Sequence, residues 1–271
     1  MDAHISFLTD YGTADGFVAA CHGVIARIAP GARVLDITHE VPPGDIRRGA
    51  VLLAQTLPYL PPGVTVAVVD PGVGTARRGV LLRTADHLLV GPDNGLLTWA
   101  ADALGGVLSA HELSARELML PRVSATFHGR DVFAPVAAHL ATGTSARRVG
   151  APLDPGDLVR LPDPVAYVVD GTAHGEVLAV DRFGNVQTSL APAELAAIGA
   201  APGGSVTVRT AAGEWHAVFG RTFADVPLGE PVAVVDSADR LAIAVNGGSA
   251  AALTRLAPEG QLSVSLADKA E

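Results

Sequence analysis

Residues 5–39 read ISFLTDYGTADGFVAACHGVIARIAPGARVLDITH. Two short apolar runs, Ile5 to Thr9 and Arg33 to Ile37, flank a longer stretch of helical period from Asp15 to Ala29 that Pro30 and Gly31 close. Short β-rich runs alternating with helical stretches are the mark of a parallel or mixed sheet covered by helices. The alternation continues, with strands expected at Val64 to Val69, Val80 to Arg83 and Leu88 to Val90. Helices are expected at Asp45 to Leu57, Asn94 to Ala103 and Asp131 to Ala141, and the helix starts carry Asp or Asn where a cap belongs. The first half therefore reads as an α/β domain with a central, mostly parallel sheet.

Between Gly150 and Pro164 prolines 152, 155, 162 and 164 mix with acids, a linker composition. We place the boundary there: an α/β domain over 1–158 and an all-β domain over 159–271. The second part has turn-punctuated runs at Val165 to Val169, Val177 to Val180, Val206 to Arg209, Trp215 to Phe219, Val232 to Val235, Leu241 to Val245 and Leu262 to Leu266, with one helix at Pro192 to Ile198. Short strands at this spacing make a small β-barrel or sandwich.

Composition narrows the function. With 49% hydrophobic residues the chain is not intrinsically disordered. Its 28 carboxylates outnumber 19 bases, with no basic run, which argues against a nucleic-acid partner. Cys21 is the single cysteine, so neither a disulfide framework nor a thiolate metal site is expected, as suits a reducing cytoplasm. Residues 1–9 read as a strand rather than a targeting signal, and no 18-residue apolar run follows, so no membrane partner is expected.

The residues able to do chemistry gather where expected strands end. Asp10-Tyr11-Gly12, Asp36-Ile37-Thr38-His39, Asp70-Pro71-Gly72-Val73-Gly74 and Asp93-Asn94-Gly95 each follow an apolar run. Open α/β sheets bind ligands beyond the carboxyl ends of their strands, so the four turns are expected to face one crevice; singly, each also reads as an ordinary Asx or Gly turn. Arg77 returns seven residues after Asp70, close enough for a loop to fold its guanidinium onto the carboxylate; alternatively, Arg77 and Arg78 are a solvated pair. His128 sits in a polar turn before a helix, where a histidine caps, binds metal or handles protons. His39 with Asp10, Asp36 and Asp70 offers a mixed ligand set for a metal-dependent hydrolase, but no HxxxH, HxH or DxD spacing supports it. In the second half, Asp181-Arg182-Phe183-Gly184-Asn185 sets an acid, an aromatic and an amide on a turn that would suit a zwitterion; the simpler reading is a hairpin with Gly184 at positive φ.

Seven ordered blocks carry a resemblance over nearly the whole chain: SFLTDYGTADGFVAACHGVI from Ser6, ITHEVPPGDIRRGA from Ile37, VVDPGVGTARRG from Val68, GPDNGLLT from Gly91, TFHGRDVFAPVAAHLATG from Thr126, VDRFGNVQTSL from Val180 and LAIAVNGGSAA from Leu241. With them the chain resembles the S-adenosylmethionine (SAM) hydroxide adenosyltransferases, adenosine-forming SAM hydrolases related to the fluorinase and chlorinase. The resemblance implies an N-terminal α/β domain, a C-terminal β-barrel and a homotrimer with active sites at subunit interfaces. It implies hydrolysis of SAM to adenosine and L-methionine by water attacking C5′ of the ribose, with no metal or other cofactor. Asp70, Arg77 and His128 would place the attacking water. Asp10 would grip the ribose hydroxyls, and Asn94, Asp181, Phe183, Asn185, Phe223 and Ser237 would complete substrate binding. The halogenases carry a tyrosine where this chain has Asp70, and the fluorinase's halide-contacting hydroxyls align with Val73 and Gly129 and a pocket tryptophan with Gly44. Water rather than halide is the implied nucleophile. Asp70 and His128 both stand as candidates to take its proton. Two alternatives stay open: a non-catalytic SAM or adenosine sensor, and the metal-dependent hydrolase.

Overall fold

The structure is a computed structural model that describes residues 4–267. The chain divides into two compact units after Leu161. The first contains β1 (His4–Thr9), α1 (Phe17–Ile28), β2 (Arg33–Thr38), α2 (Ile46–Thr56), β3 (Gly63–Val68), β4 (Gly79–Arg83), β5 (His87–Pro92), α3 (Thr98–Ala103), β6 (Ser109–Glu112), α4 (Ala134–Ala141) and β7 (Pro152–Leu153). Its sheet runs in the order β2-β1-β3-β5-β4-β6-β7. The expected parallel arrangement is the β2-β1-β3-β5 half; β4, β6 and β7 pair antiparallel, making the sheet mixed.

The chain leaves β1 for β2 on one side and then crosses to β3 on the other. Right-handed crossovers in opposite directions put their helices on opposite faces. Accordingly, residues of α1 and α4, including buried Cys21 and Ile25, form one core with Ile5, Phe7, Val66 and Val68. The opposite core, with Leu53 of α2 and Ala100 of α3, uses Leu8, Ala67, Val69 and Leu89. Successive strand residues thus supply alternate cores, the period-2 rule. Among the expected helix starts only Asp45 caps, its Oδ1 accepting from Arg48 N at 2.8 Å. Helix α1 begins after Gly16 with no capping side-chain bond.

The proline-rich stretch is not a loose linker at its start. Pro152–Leu153 pairs with β6, Asp93 Oδ1 accepts from Val159 N at 2.9 Å, and Arg78 donates to Asp157 O at 2.7 Å. These bonds hold the backbone as far as Val159 to the first unit.

The second unit contains β8 (Ala166–Val169), β9 (Thr172–Val180), β10 (Val186–Thr188), α5 (Pro192–Ala197), β11 (Ser205–Thr210), β12 (Gly213–Phe219), β13 (Pro231–Val235), β14 (Leu241–Val245), α6 (Ala250–Thr254) and β15 (Gln261–Leu266). The order β10-β14-β13-β12-β11-β15-β9 closes through a β10–β9 pairing into a seven-strand barrel, with β8 paired to β9 outside the ring. Val177, Val186, Val208, Ala233, Ile243 and Val264 fill the interior. Among the described residues no helix is long and apolar enough to cross a membrane.

Candidate active site

Strands β1, β2, β3 and β5 are parallel neighbours, so the turns after them lie along one edge of the sheet. The chain reverses direction about β1, which places the topological switch between the ends of β1 and β3. Asp10 and Asp70 are the carboxylates just beyond those two ends.

Asp70 and Arg77 face each other through two parallel contacts. Arg77 Nε donates to Asp70 Oδ1 at 3.1 Å and Arg77 Nη2 to Asp70 Oδ2. Their side chains are 5% and 10% exposed, which rules out the solvated-pair reading for Arg77. The loop turns tightly enough because Gly74 takes φ +76° with its α-carbon packed on Ala125, where a Cβ would meet Ala125 O at 2.2 Å. Arg77 also lies 5.4 Å from the Phe133 ring centroid, an apolar backing for the cation. Arg78 is not solvated either; it binds Asp93 Oδ2 at 3.0 and 2.5 Å.

His128 completes the group: its Nδ1 lies 3.2 Å from Arg77 Nη2. A guanidinium only donates, so Nδ1 is the acceptor and the neutral ring carries its proton on Nε2. Burial, then the Arg77 charge, lowers the His128 pKa, against smaller opposing pulls from Asp70 and Asp131. The ring sits at the start of a π-helical turn, Gly129–Phe133, that leads into α4. Such turns interrupt regular helix and recur at functional sites. Asp131, expected as a helix start, is instead buried inside this turn and paired to Arg130, with Oδ2 accepting from Ser124 N at 2.8 Å. Burial alone would raise its pKa, but Arg130, Ser124 N and His128 bring it below the usual value.

Asp10 Oδ2 accepts from Gly44 N at 2.9 Å. Asn94 does not point its amide outward: Nδ2 donates to Val69 O at 2.8 Å and Oδ1 accepts from Leu96 N, so it braces the residue before Asp70. Tyr11 is a member of the group that the sequence reading missed. It packs edge-on against Phe17 and Phe127, and its hydroxyl lies where a Cβ on Gly129 would come within 2.0 Å. Burial first of all, with smaller upward pulls from Cys21, Asp10 and Asp70, pushes its phenol far above the usual value, leaving it protonated. Asp10, Asp36, Asp70 and His39 do not form one ligand set; among the described residues the acid and histidine group close enough to share an ion is His22, Asp36 and His39.

In the barrel unit, Asp181–Asn185 is the hairpin turn between β9 and β10, with Gly184 at φ +85°. Asp181 Oδ1 accepts from Phe183 N and Asn185 N at 2.8 and 2.9 Å, and Oδ2 from Asn185 Nδ2 at 2.8 Å. Asp181 therefore shapes the turn that presents Phe183, which is 72% exposed. Phe183 and Asn185 line an open cavity of about 560 Å³ together with Phe223, Asn246 and Gly248. That is the size range of small-molecule sites. Ser237 does not join them: it lies on the β13–β14 turn, at the other end of β14 from Asn246.

Residues 5–150 match the family described as SAM hydroxide adenosyltransferase N-terminal domain, and residues 175–263 match its C-terminal domain. The chain is 57% identical to an (R)-S-adenosyl-L-methionine hydrolase from Salinispora arenicola, over 96% of this chain and 97% of that one. It is 30% identical to a fluorinase from Actinopolyspora mzabensis over 91% and 92% of the two chains. A solved structure of an uncharacterized conserved protein from Thermotoga maritima superposes with a TM-score of 0.92 at 38% identity, covering 96% of this chain and 99% of that one.

Proposed function

The chain belongs to the SAM hydroxide adenosyltransferase family, and from that premise we propose that it hydrolyses S-adenosyl-L-methionine to adenosine and L-methionine at Asp70, Arg77 and His128. The observation that carries the assignment of residues is Arg77 held between Asp70 and His128 in a buried position beside the ends of β1 and β3. Water attacks C5′ in line with the sulfonium; the C5′–O bond forms as the C5′–S bond breaks, and the electron pair leaves on methionine as a neutral thioether. The positive charge disappears along this path, so a site with little water and a fixed carboxylate favours it.

Free water has a pKa of about 15.7, but its acidity rises steeply as the C–O bond forms. Proton transfer then needs only a well-placed acceptor late in the step. His128 accepts from Arg77 at Nδ1 and carries its proton on Nε2, so it donates a hydrogen bond toward the water rather than accepting its proton. Asp70 is the proton acceptor in this reading. Asp10 keeps Oδ1 for the ribose hydroxyls, since Oδ2 is taken by Gly44 N. Phe183 and Asn185, on the turn shaped by Asp181, together with Phe223 from the segment between β12 and β13, bind the remainder of the substrate from the barrel of a neighbouring subunit in a homotrimer. The substrate epimer is the (R)-sulfonium, for which the 57% identical relative is named. No metal or organic cofactor takes part, and the enzyme works in the cytoplasm, in keeping with its single, buried free thiol.

The test is to incubate the protein with mixed sulfonium epimers in ¹⁸O-water containing EDTA and high chloride. Adenosine labelled at the 5′ oxygen, with the (R) epimer consumed first, is the expected result. No adenosine would make the protein a binding module, loss of activity in EDTA a metal hydrolase, and 5′-chloro-5′-deoxyadenosine a halogenase.

A further inference from the structure

Helix α1, strand β2 and the turn after it bring together three groups the reaction does not use. His22 Nε2 and His39 Nε2 lie 2.9 and 3.0 Å from the same oxygen, Asp36 Oδ1. All three ligand atoms fall within 4.8 Å of one another. The His39 side chain is only 5% exposed, and its Nε2 has neither solvent contact nor an aligned hydrogen bond. The other ring nitrogen is accounted for: His39 Nδ1 lies 2.9 Å from Thr9 Oγ1. Phe7 packs against both rings, at 5.9 Å from His22 and 5.0 Å from His39 between centroids, and fixes their planes.

We propose that His22, Asp36 and His39 bind a divalent transition-metal ion of the Zn²⁺ class through Nε2, Oδ1 and Nε2, at a site separate from the reaction centre. In the tautomer this site requires, Nδ1–H donates to Thr9 Oγ1 and His39 Nε2 presents a lone pair toward a carboxylate oxygen 3.0 Å away. Two such acceptors repel unless a cation lies between them, and the off-axis oxygen suits a shared ion better than a linear N–H···O bond. Ligands of one tetrahedral zinc ion, each about 2.0–2.2 Å from it, sit about 3.3 Å apart, close to the two N···O spacings here, with the third held within 4.8 Å. Two imidazoles and one carboxylate are a borderline donor set, preferred by Zn²⁺, Co²⁺ or Ni²⁺ over Mg²⁺ or Ca²⁺. The Thr9 contact on the far nitrogen is the outer support that orients a metal-binding histidine. Asp36 and His22, at 41% and 34% exposure, leave an entry path and a place for water as the fourth ligand.

An ion here ties α1 to β2 and to the turn whose His39 O accepts from Gly12 N at 2.7 Å, two residues from Asp10. It stabilises the frame of the substrate edge without touching the reacting atoms, so its failure to bind leaves the hydrolase reading intact. The experiment uses the untagged full chain stripped with chelator, titrated with Co²⁺ in the visible and with Zn²⁺ by calorimetry. One ion per chain with the intense bands of tetrahedral Co²⁺ is expected, along with a Zn²⁺-dependent rise in melting temperature. His22→Ala and Asp36→Asn, each checked for fold by circular dichroism, should weaken Zn²⁺ binding at least about tenfold and abolish that rise. No saturable binding by the wild type, which would leave a proton-sharing His-Asp-His group, or equal binding by both variants would overturn the proposal.

Discussion

The relation between Asp70 and Arg77 was legible in the sequence because it is local: seven residues, two glycines and a strand end dictate a loop that folds back. Tyr11 was not legible. Its position depends on Phe17, Phe127 and Gly129, which only the packing of α1 beside the π-helical turn brings together. Arg78 looked like Arg77's solvated twin, and its part in binding Asp93 and Asp157 O rests on contacts up to 79 residues away. Two predictions belong at this scale. The first follows from the His128 pKa, lowered from 6.5 chiefly by burial and then by Arg77. The neutral form, able to accept from Arg77 at Nδ1, dominates above that shifted value, and protonation as pH falls through it puts an N–H against the guanidinium. The rate constant kcat should be level from pH 7 to 9 and fall only on the acid side of 6.5; a pH–rate profile that starts to fall above pH 7 as the solution is acidified would contradict this. The second concerns Gly129→Ser, which places a hydroxyl at a position that the resemblance aligns with a halide-contacting hydroxyl. Its Cβ would stand 2.0 Å from Tyr11 Oη. Overpacking should cost about 1–3 kcal/mol in urea unfolding and lower hydrolysis without producing halogenated adenosine. Tyr11→Phe in the same chain should recover part of the lost stability, because it removes the nearest atom.

At the scale of elements, the β-α-β opening and most barrel strands were readable from period and turn residues. Strands β7 and β10, two and three residues long, were not, since such runs carry too little pattern to separate from the turns beside them. Yet β10 closes the barrel, pairing Val186 with both Val180 and Ile243. The turn before it is the hairpin that its Gly184 suggests, and Asp181 folds the backbone that presents Phe183 and Asn185 to a cavity. Gly184 is the weak point of that arrangement, since it holds φ +85° and a Cβ would meet Ser249 Oγ at 2.1 Å. Gly184→Ala should therefore lower the unfolding free energy measured in urea by about 1–3 kcal/mol and raise KM for SAM more than it lowers kcat. An unchanged KM would remove the turn from substrate binding.

At the scale of the molecule, helices against a sheet and a barrel after it were legible, and β4 was expected as a strand, but β6, β7 and the antiparallel pairing of that half of the sheet were not. Its strands β4, β6 and β7 are set by long-range pairing, as where Leu81 meets both Val90 and His111. The homotrimer should appear in sedimentation equilibrium as a single species of three chains that retains full activity. A fully active monomer would show that one chain holds the entire site. The burial of Cys21 has a consequence of another kind. Its thiol, pushed up to about 12 by burial first of all, faces the core from the middle of α1, and it is the single sulfhydryl in the chain. Alkylating reagents attack the thiolate, so the folded protein presents them with almost nothing to attack. Each modified molecule is then a record that α1 lifted from the sheet at least once, and the protein carries its own clock for that opening.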